Sequence, residues 1–157
     1  MYWIFVCSNN LVRSVVAAAI CRQLSPEIEV ASVGLAESCK DRFDRQGRLR
    51  KRRLIAPVTR KFLAEKGLVK AEDTDIRARR LTADDVQKAD RLWVMTENHK
   101  RDLLRQFPEA EGKVHLLGDS AIKDNPKTKL TEVRLQEWYD QIKSAVKVRV
   151  AEVSQLP

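Results

Sequence analysis

This 157-residue chain offers little for metal chemistry or covalent cross-linking, with only three cysteines and two histidines. The cysteines, at positions 7, 21 and 39, are odd in number and lack metal-type spacing. That pattern argues against both a disulfide framework and a zinc site. No run of about 18 apolar residues exists to cross a membrane. The short apolar opening also lacks the basic flank and cleavage signal of a secretory peptide. These absences predict a cytoplasmic protein whose thiols stay reduced. What remains is ordinary globular composition, 43% hydrophobic and 33% charged. The length fits a single domain, residues 1–157, able to bury a sizeable core.

The most informative stretch is the first. Trp3 to Val6 is an apolar run rich in β-branched and aromatic residues, and it ends at Cys7. A helix pattern, Val15 to Leu24 with Ala17, Ala18 and Ala19, starts shortly afterwards. A thiol therefore sits at a helix entrance, where unpaired N–H groups and the positive end of the macrodipole favour an anion. The five residues Ser8, Asn9, Asn10, Leu11 and Val12 separate Cys7 from Arg13. That length lets their N–H groups curl inward as a nest, and Asn9 and Asn10 tolerate the left-handed backbone it requires. Arg13 adds a guanidinium fork that matches two phosphate oxygens, and the hydroxyl of Ser14 is in reach of the sulfur. Together these residues predict nucleophilic chemistry on a phosphate or a similar oxyanion. A buried cysteine packing as a small hydrophobe is the plainer alternative.

Cysteine, five residues, arginine and serine at the N-terminus resembles the phosphate-binding loop of the low molecular weight protein tyrosine phosphatases. Ala31-Ser32-Val33-Gly34 resembles that family's Ser-Ala-Gly strand end, which implies that Ser32 braces Asn10. The stretches 77–82, 89–95 and 113–118 also follow the family in order, so the resemblance covers most of the chain. It implies a cysteinyl-phosphate mechanism with no metal or organic cofactor. The expected substrate is a phosphorylated protein or a small phosphate ester, and the chain is expected to act as a monomer or weak dimer.

Ser25-Pro26 stops the first helix near Leu24, and Ile28 to Val33 reads as a second strand. Strand, helix, strand suggests a parallel sheet. Pro57 to Lys66 reads as a helix stopped by Gly67, and a short helix capped by Thr82 follows. Leu92 to Met95 is a buried-type strand, Thr96 caps a helix through about Gln106, and Val114 to Leu117 is the last strand. The final helix, about Thr131 to Val150, presents Leu135, Trp138, Ile142, Val146 and Val150 as a packing stripe. Core packing is the preferred role for Trp138, and neither His99 nor His115 has a partner suggested by sequence. The expected fold is α/β, a single three-layer domain with a central four-stranded parallel sheet flanked by helices.

Charge is concentrated in one place. Lys40 to Arg53 contains eight basic and two acidic residues, in a chain whose net charge is +8. This basic, insertion-like segment, about 36–56, fits neither helix nor strand. The resemblance places it beside the active-site mouth, with Phe43 the candidate aromatic for holding substrate. A partner recognised there would be acidic: a phosphoprotein with acidic flanks ahead of nucleic acid or an anionic membrane surface. The alternative is a solvated charged loop.

Expelling an alkoxide or phenoxide requires a proton donor. The family takes it from an Asp-Pro pair after the last strand, usually followed by aromatics. Here Asp124 is the candidate, separated from Pro126 by Asn125, with Lys127 and Lys129 in place of the aromatics; Asp119 is the fallback. Relatives acting on phosphoarginine carry threonine two residues before the loop arginine, so Leu11 favours phosphotyrosine. Arsenate reductases share the fold but relay electrons through two further cysteines, and residues 67 to 90 contain none. A phosphate-binding module without turnover is the other alternative, suggested by the altered Asp-Asn-Pro segment.

Overall fold

The computed structural model describes residues 1–36, 39, 42–43, 45–50, 54–73, 75–123 and 129–157, with the main chain alone for Arg42, Phe43, Leu49 and Arg50. Its centre is the apolar opening, which forms β1 (Tyr2–Cys7). Four parallel strands lie in the order β2 (Glu29–Gly34), β1, β5 (Arg91–Val94) and β6 (Val114–Leu116). The chain leaves β1 for a neighbour on one side and later returns to its other side. The sheet order therefore reverses at the carboxyl end of β1, where open α/β sheets form their crevice. Cys7 stands at that point.

The two-residue alternation of a strand sorts β1 between two cores. Trp3, Phe5 and Cys7 face a cluster built with α1 (Arg13–Leu24), α2 (Pro57–Glu65) and α5 (Glu132–Ser154). Ile4 and Val6 face the other side, against α3 (Ala83–Lys88) and α4 (Glu97–Gln106). The expected three-layer α/β architecture is thus present. Boundaries shift only slightly: α1 begins two residues early, at Arg13, and α5 continues to Ser154. The expected caps at Thr82 and Thr96 each accept a backbone N–H, and Thr131 does the same for α5.

The basic segment departs from its sequence reading. It contains a two-stranded antiparallel hairpin of β3 (Arg42–Phe43) and β4 (Leu49–Arg50). Gly47 in the connection takes a φ of 73°, the left-handed conformation glycine adopts without strain. Strands of two residues are too short to produce a readable alternation, which is why the pattern went unseen. Among the described residues no helix is long and apolar enough to cross a membrane.

Candidate active site

The loop after β1 is held from below and from both sides. Leu35 N–H donates to the carbonyls of Cys7 and Ser8, and Ala36 N–H donates to Ser8. Asn10 is buried and takes a φ of 51°, the one non-glycine positive φ among the described residues. That turn aims its N–H at Cys7 Sγ, 3.3 Å away. Ser14 Oγ lies 3.1 Å from the same sulfur. Asn10 N–H and the Ser14 hydroxyl thus converge on the Cys7 sulfur at the carboxyl end of β1.

Asn10 Nδ2 donates to the main-chain carbonyls of Ser32, at 3.2 Å, and Arg79, at 3.4 Å. Asn10 thus meets Ser32 at the backbone carbonyl. With its amide nitrogen so committed, Asn10 turns Oδ1 to Ser14, which donates to it at 2.9 Å. A hydroxyl has one hydrogen, so Ser14 gives it to Asn10 and accepts from the Cys7 S–H while the thiol is neutral. When the thiol ionises, rotation of that hydroxyl supplies the sulfur with a second donor beside Asn10 N–H.

Arg13 is only 5% exposed. One guanidinium nitrogen donates to the carbonyl of Ile122 at 2.8 Å, and the guanidinium carbon lies 5.9 Å from the centre of the Trp138 ring. Trp138 donates from its indole nitrogen to the carbonyl of Lys123 at 3.1 Å. On the opposite flank, Ser8 Oγ meets His99 Nε2 at 2.8 Å. Asn9 is exposed, while Leu11 and Val12 are half-buried against the α1 core.

The carboxylate of Asp119 is 99% exposed and lies 3.6 Å from Arg149, on α5. Asp124 lies outside the described residues, as do Asn125, Pro126 and Lys127, and so does the side chain of Phe43. His115 packs its ring against Trp93 in the sheet. Burial first, then the charges of Arg91, Lys100 and Arg149, push its pKa down. Burial pushes the Cys21 thiol up to about 11, so it stays a neutral packing group.

The comparisons with known proteins converge on one group. The family model described as low molecular weight phosphotyrosine protein phosphatase matches residues 3–154. The chain belongs to this family. A probable low molecular weight protein-tyrosine-phosphatase, EpsP of Ralstonia solanacearum, is 29% identical over 114 residues, 73% of this chain and 68% of that protein. Among solved structures, the tyrosine phosphatase AmsI of Erwinia amylovora is similar at a TM-score of 0.75 and 24% identity, covering 96% of this chain and 91% of its own. YwlE arginine phosphatase from Geobacillus stearothermophilus is similar at a TM-score of 0.73 and 22% identity, covering 99% and 97%.

Against the low molecular weight phosphatase pattern, sequence reasoning missed three supports of the loop. His99 looked like an isolated histidine. Its signal was positional, because a first-turn residue after β5 stands at the carboxyl edge of the sheet, where the site lies. Trp138 fits the packing stripe as expected, yet its indole nitrogen and ring face also reach Lys123 and Arg13. The carbonyl of Arg79, which takes the N–H of Gly34 as well as the Asn10 amide, left no signal because any residue supplies a carbonyl.

Proposed function

We propose that the chain hydrolyses phosphotyrosine-type monoesters through a cysteinyl-phosphate formed on Cys7, using the loop residues to perform the activity of its family. The observation that carries this reading is the sulfur itself, placed at the end of β1 between Asn10 N–H and the Ser14 hydroxyl, with Arg13 opening α1 on the far side of the loop.

The Cys7 thiolate attacks phosphorus in line, forming an S–P bond as the P–O bond to the leaving group breaks. Arg13 and the N–H groups of residues 8–14 hold the equatorial oxygens as charge develops on them. Asp124 gives its proton to the departing oxygen. Water then attacks the cysteinyl-phosphate, the Asp124 carboxylate takes its proton, and phosphate leaves. Sulfur departs as a thiolate, stabilised by Asn10 N–H and the hydroxyl hydrogen of Ser14. Asp124 takes this role ahead of Asp119 because it directly follows Lys123, whose carbonyl Trp138 holds beside Arg13, whereas Asp119 faces solvent beside Arg149.

Leu11, a bulky aliphatic half-buried against the core, favours a flat aromatic ester over phosphoarginine. The basic segment favours protein substrates with acidic residues near the phosphate; within it, Arg45 and Arg48 are exposed.

Release of p-nitrophenol from its phosphate ester at mildly acidic pH tests this reading. Turnover by the wild type, its abolition in Cys7→Ser and its reduction in Asp124→Ala are expected. A folded wild type that binds vanadate without turnover would leave only a phosphate-binding module. Hydrolysis of phosphoarginine in preference to phosphotyrosine would overturn the substrate assignment.

A further inference from the structure

Trp138 occupies a position that its packing role does not explain. It lies on the buried face of α5 between Leu135 and Ile142, and 7% of it is exposed. A tryptophan that only fills a core satisfies its N–H wherever a partner is available. Here the partner is the carbonyl of Lys123, and the preceding carbonyl, that of Ile122, is the one Arg13 holds. Ile122 N–H is itself anchored to the carbonyl of Met95, at the end of β5. The ring meanwhile faces the Arg13 guanidinium, within the range of a cation–π contact, and Arg134 approaches the same ring at 5.3 Å.

These contacts close a circuit: Arg13 to Ile122, along one peptide to Lys123, from Lys123 to the Trp138 N–H, and from the Trp138 ring back to Arg13. One end of the circuit is the residue that would clamp the phosphate. The other is the residue immediately before Asp124. A side chain that grips both ties the clamp to the residue that Asp124 follows in sequence.

We propose that Trp138 is a positioning residue for phosphoryl transfer, orienting the Arg13 guanidinium with its ring and setting the start of the Asp124 segment with its indole N–H. The inference rests on the reading of Cys7, Arg13 and Asp124 given above. The two contacts divide the labour. Loss of the N–H disturbs delivery of the proton, and loss of the ring disturbs the phosphate clamp as well.

Trp138→Phe keeps a smaller aromatic face beside Arg13 and deletes the N–H; Trp138→Leu removes both. Their kcat values are compared across aryl phosphates whose leaving phenols range from strongly to weakly acidic, with vanadate inhibition measured alongside. In Trp138→Phe the loss should be about twofold for p-nitrophenyl phosphate and about tenfold or more for phenyl phosphate, which depends on the proton, with vanadate binding unchanged. In Trp138→Leu vanadate binding should weaken as well. A uniform loss across the series in Trp138→Phe, or no loss, would overturn the proposal, because a purely structural residue does not change leaving-group sensitivity. Should Trp138→Leu fail to fold, the phenylalanine variant alone decides. Hydrogen exchange over residues 119–123 separates this proposal from the underlying reading. Absent turnover in the wild type sinks that reading, while unchanged exchange in Trp138→Phe sinks the role given to Trp138; faster exchange confined to that segment supports it.

Discussion

Ser8 Oγ and His99 Nε2 lie 2.8 Å apart, joining the first residue after Cys7 to the first turn of α4. Thr96 fixes the histidine by accepting its backbone N–H at 3.1 Å, so the imidazole is delivered to the loop by a capped helix end. His99→Ala should lower kcat/KM about three- to tenfold, the scale of one largely buried hydrogen bond. His99→Gln, which retains an amide in reach of Ser8, should recover part of the loss. Ser8→Ala and His99→Ala should be strongly non-additive, and additive losses in a double-mutant cycle would deny the coupling.

The single hydrogen of Ser14 predicts a split between the two chemical steps. Ser14→Ala removes the donor that swings to the sulfur when thiolate departs from phosphorus, so breakdown of the cysteinyl-phosphate should slow more than its formation. A burst of p-nitrophenol followed by a slower steady state, about tenfold or more below wild type, is the expected trace in rapid-mixing kinetics. A proportional loss in both phases would place the role of Ser14 in ground-state structure instead.

Asp85 holds the side chain of Arg79, whose carbonyl braces Asn10. Burial pushes its pKa up, but hydrogen bonds from Arg79 and from the Thr82 N–H and hydroxyl, with the Arg79 charge, outweigh this and hold it below the ordinary value. A depressed carboxylate pKa contributes stability above its unfolded value, about 3.9, and that contribution is lost as pH falls through the folded value. Asp85→Asn should therefore be less stable than wild type at neutral pH by about 1–2 kcal/mol. Denaturant titrations should show the gap closing below about pH 4; a gap independent of pH would mean that the carboxylate charge is not what matters.

Gly34 is packed against the loop with no room to spare. A Cβ there would lie 2.4 Å from Cys39 Sγ, 2.8 Å from the Ser8 carbonyl and 3.0 Å from Asn10 N. Two of these are backbone atoms of the phosphate loop, which cannot swing aside as a side chain can. Gly34→Ala should lose about 1–3 kcal/mol of stability and much of its turnover. Wild-type activity in that variant would show that the loop yields without losing its geometry.

Salt should distinguish the substrates. If the basic segment recognises acidic flanks, kcat/KM for acidic phosphopeptides should fall steeply between about 50 and about 500 mM salt, while p-nitrophenyl phosphate responds weakly. Equal salt dependence for both would leave the segment without a recognition role.

The fold was legible because its signals are local. The β-branched and aromatic run Trp3–Val6, the alanines of α1 and the threonine caps each announce an element within a few residues. The nucleophile loop was legible for the same reason, since Cys7, Arg13 and Ser14 are close neighbours in sequence. What resisted reading is whatever spans a distance. Ser8 and His99 are 91 positions apart, and Arg13 and Ile122 are 109 apart, so no local pattern pairs them; only the place of His99 after β5 pointed toward the site. A main-chain acceptor such as Arg79 is invisible in principle, because its contribution does not depend on which side chain it carries, and Ser32 was named only through the family resemblance.

The grip of Ile122 and Trp138 on Arg13 also has a consequence in time. During synthesis, Cys7, the loop and α1 emerge first, yet the contacts that hold Arg13 come from the last third of the chain. Pairings of such long separation form late, after the entropy of closing the intervening chain has been overcome. In the proposed mechanism the nucleophile thus emerges before its clamp is set, and full competence awaits the docking of α5.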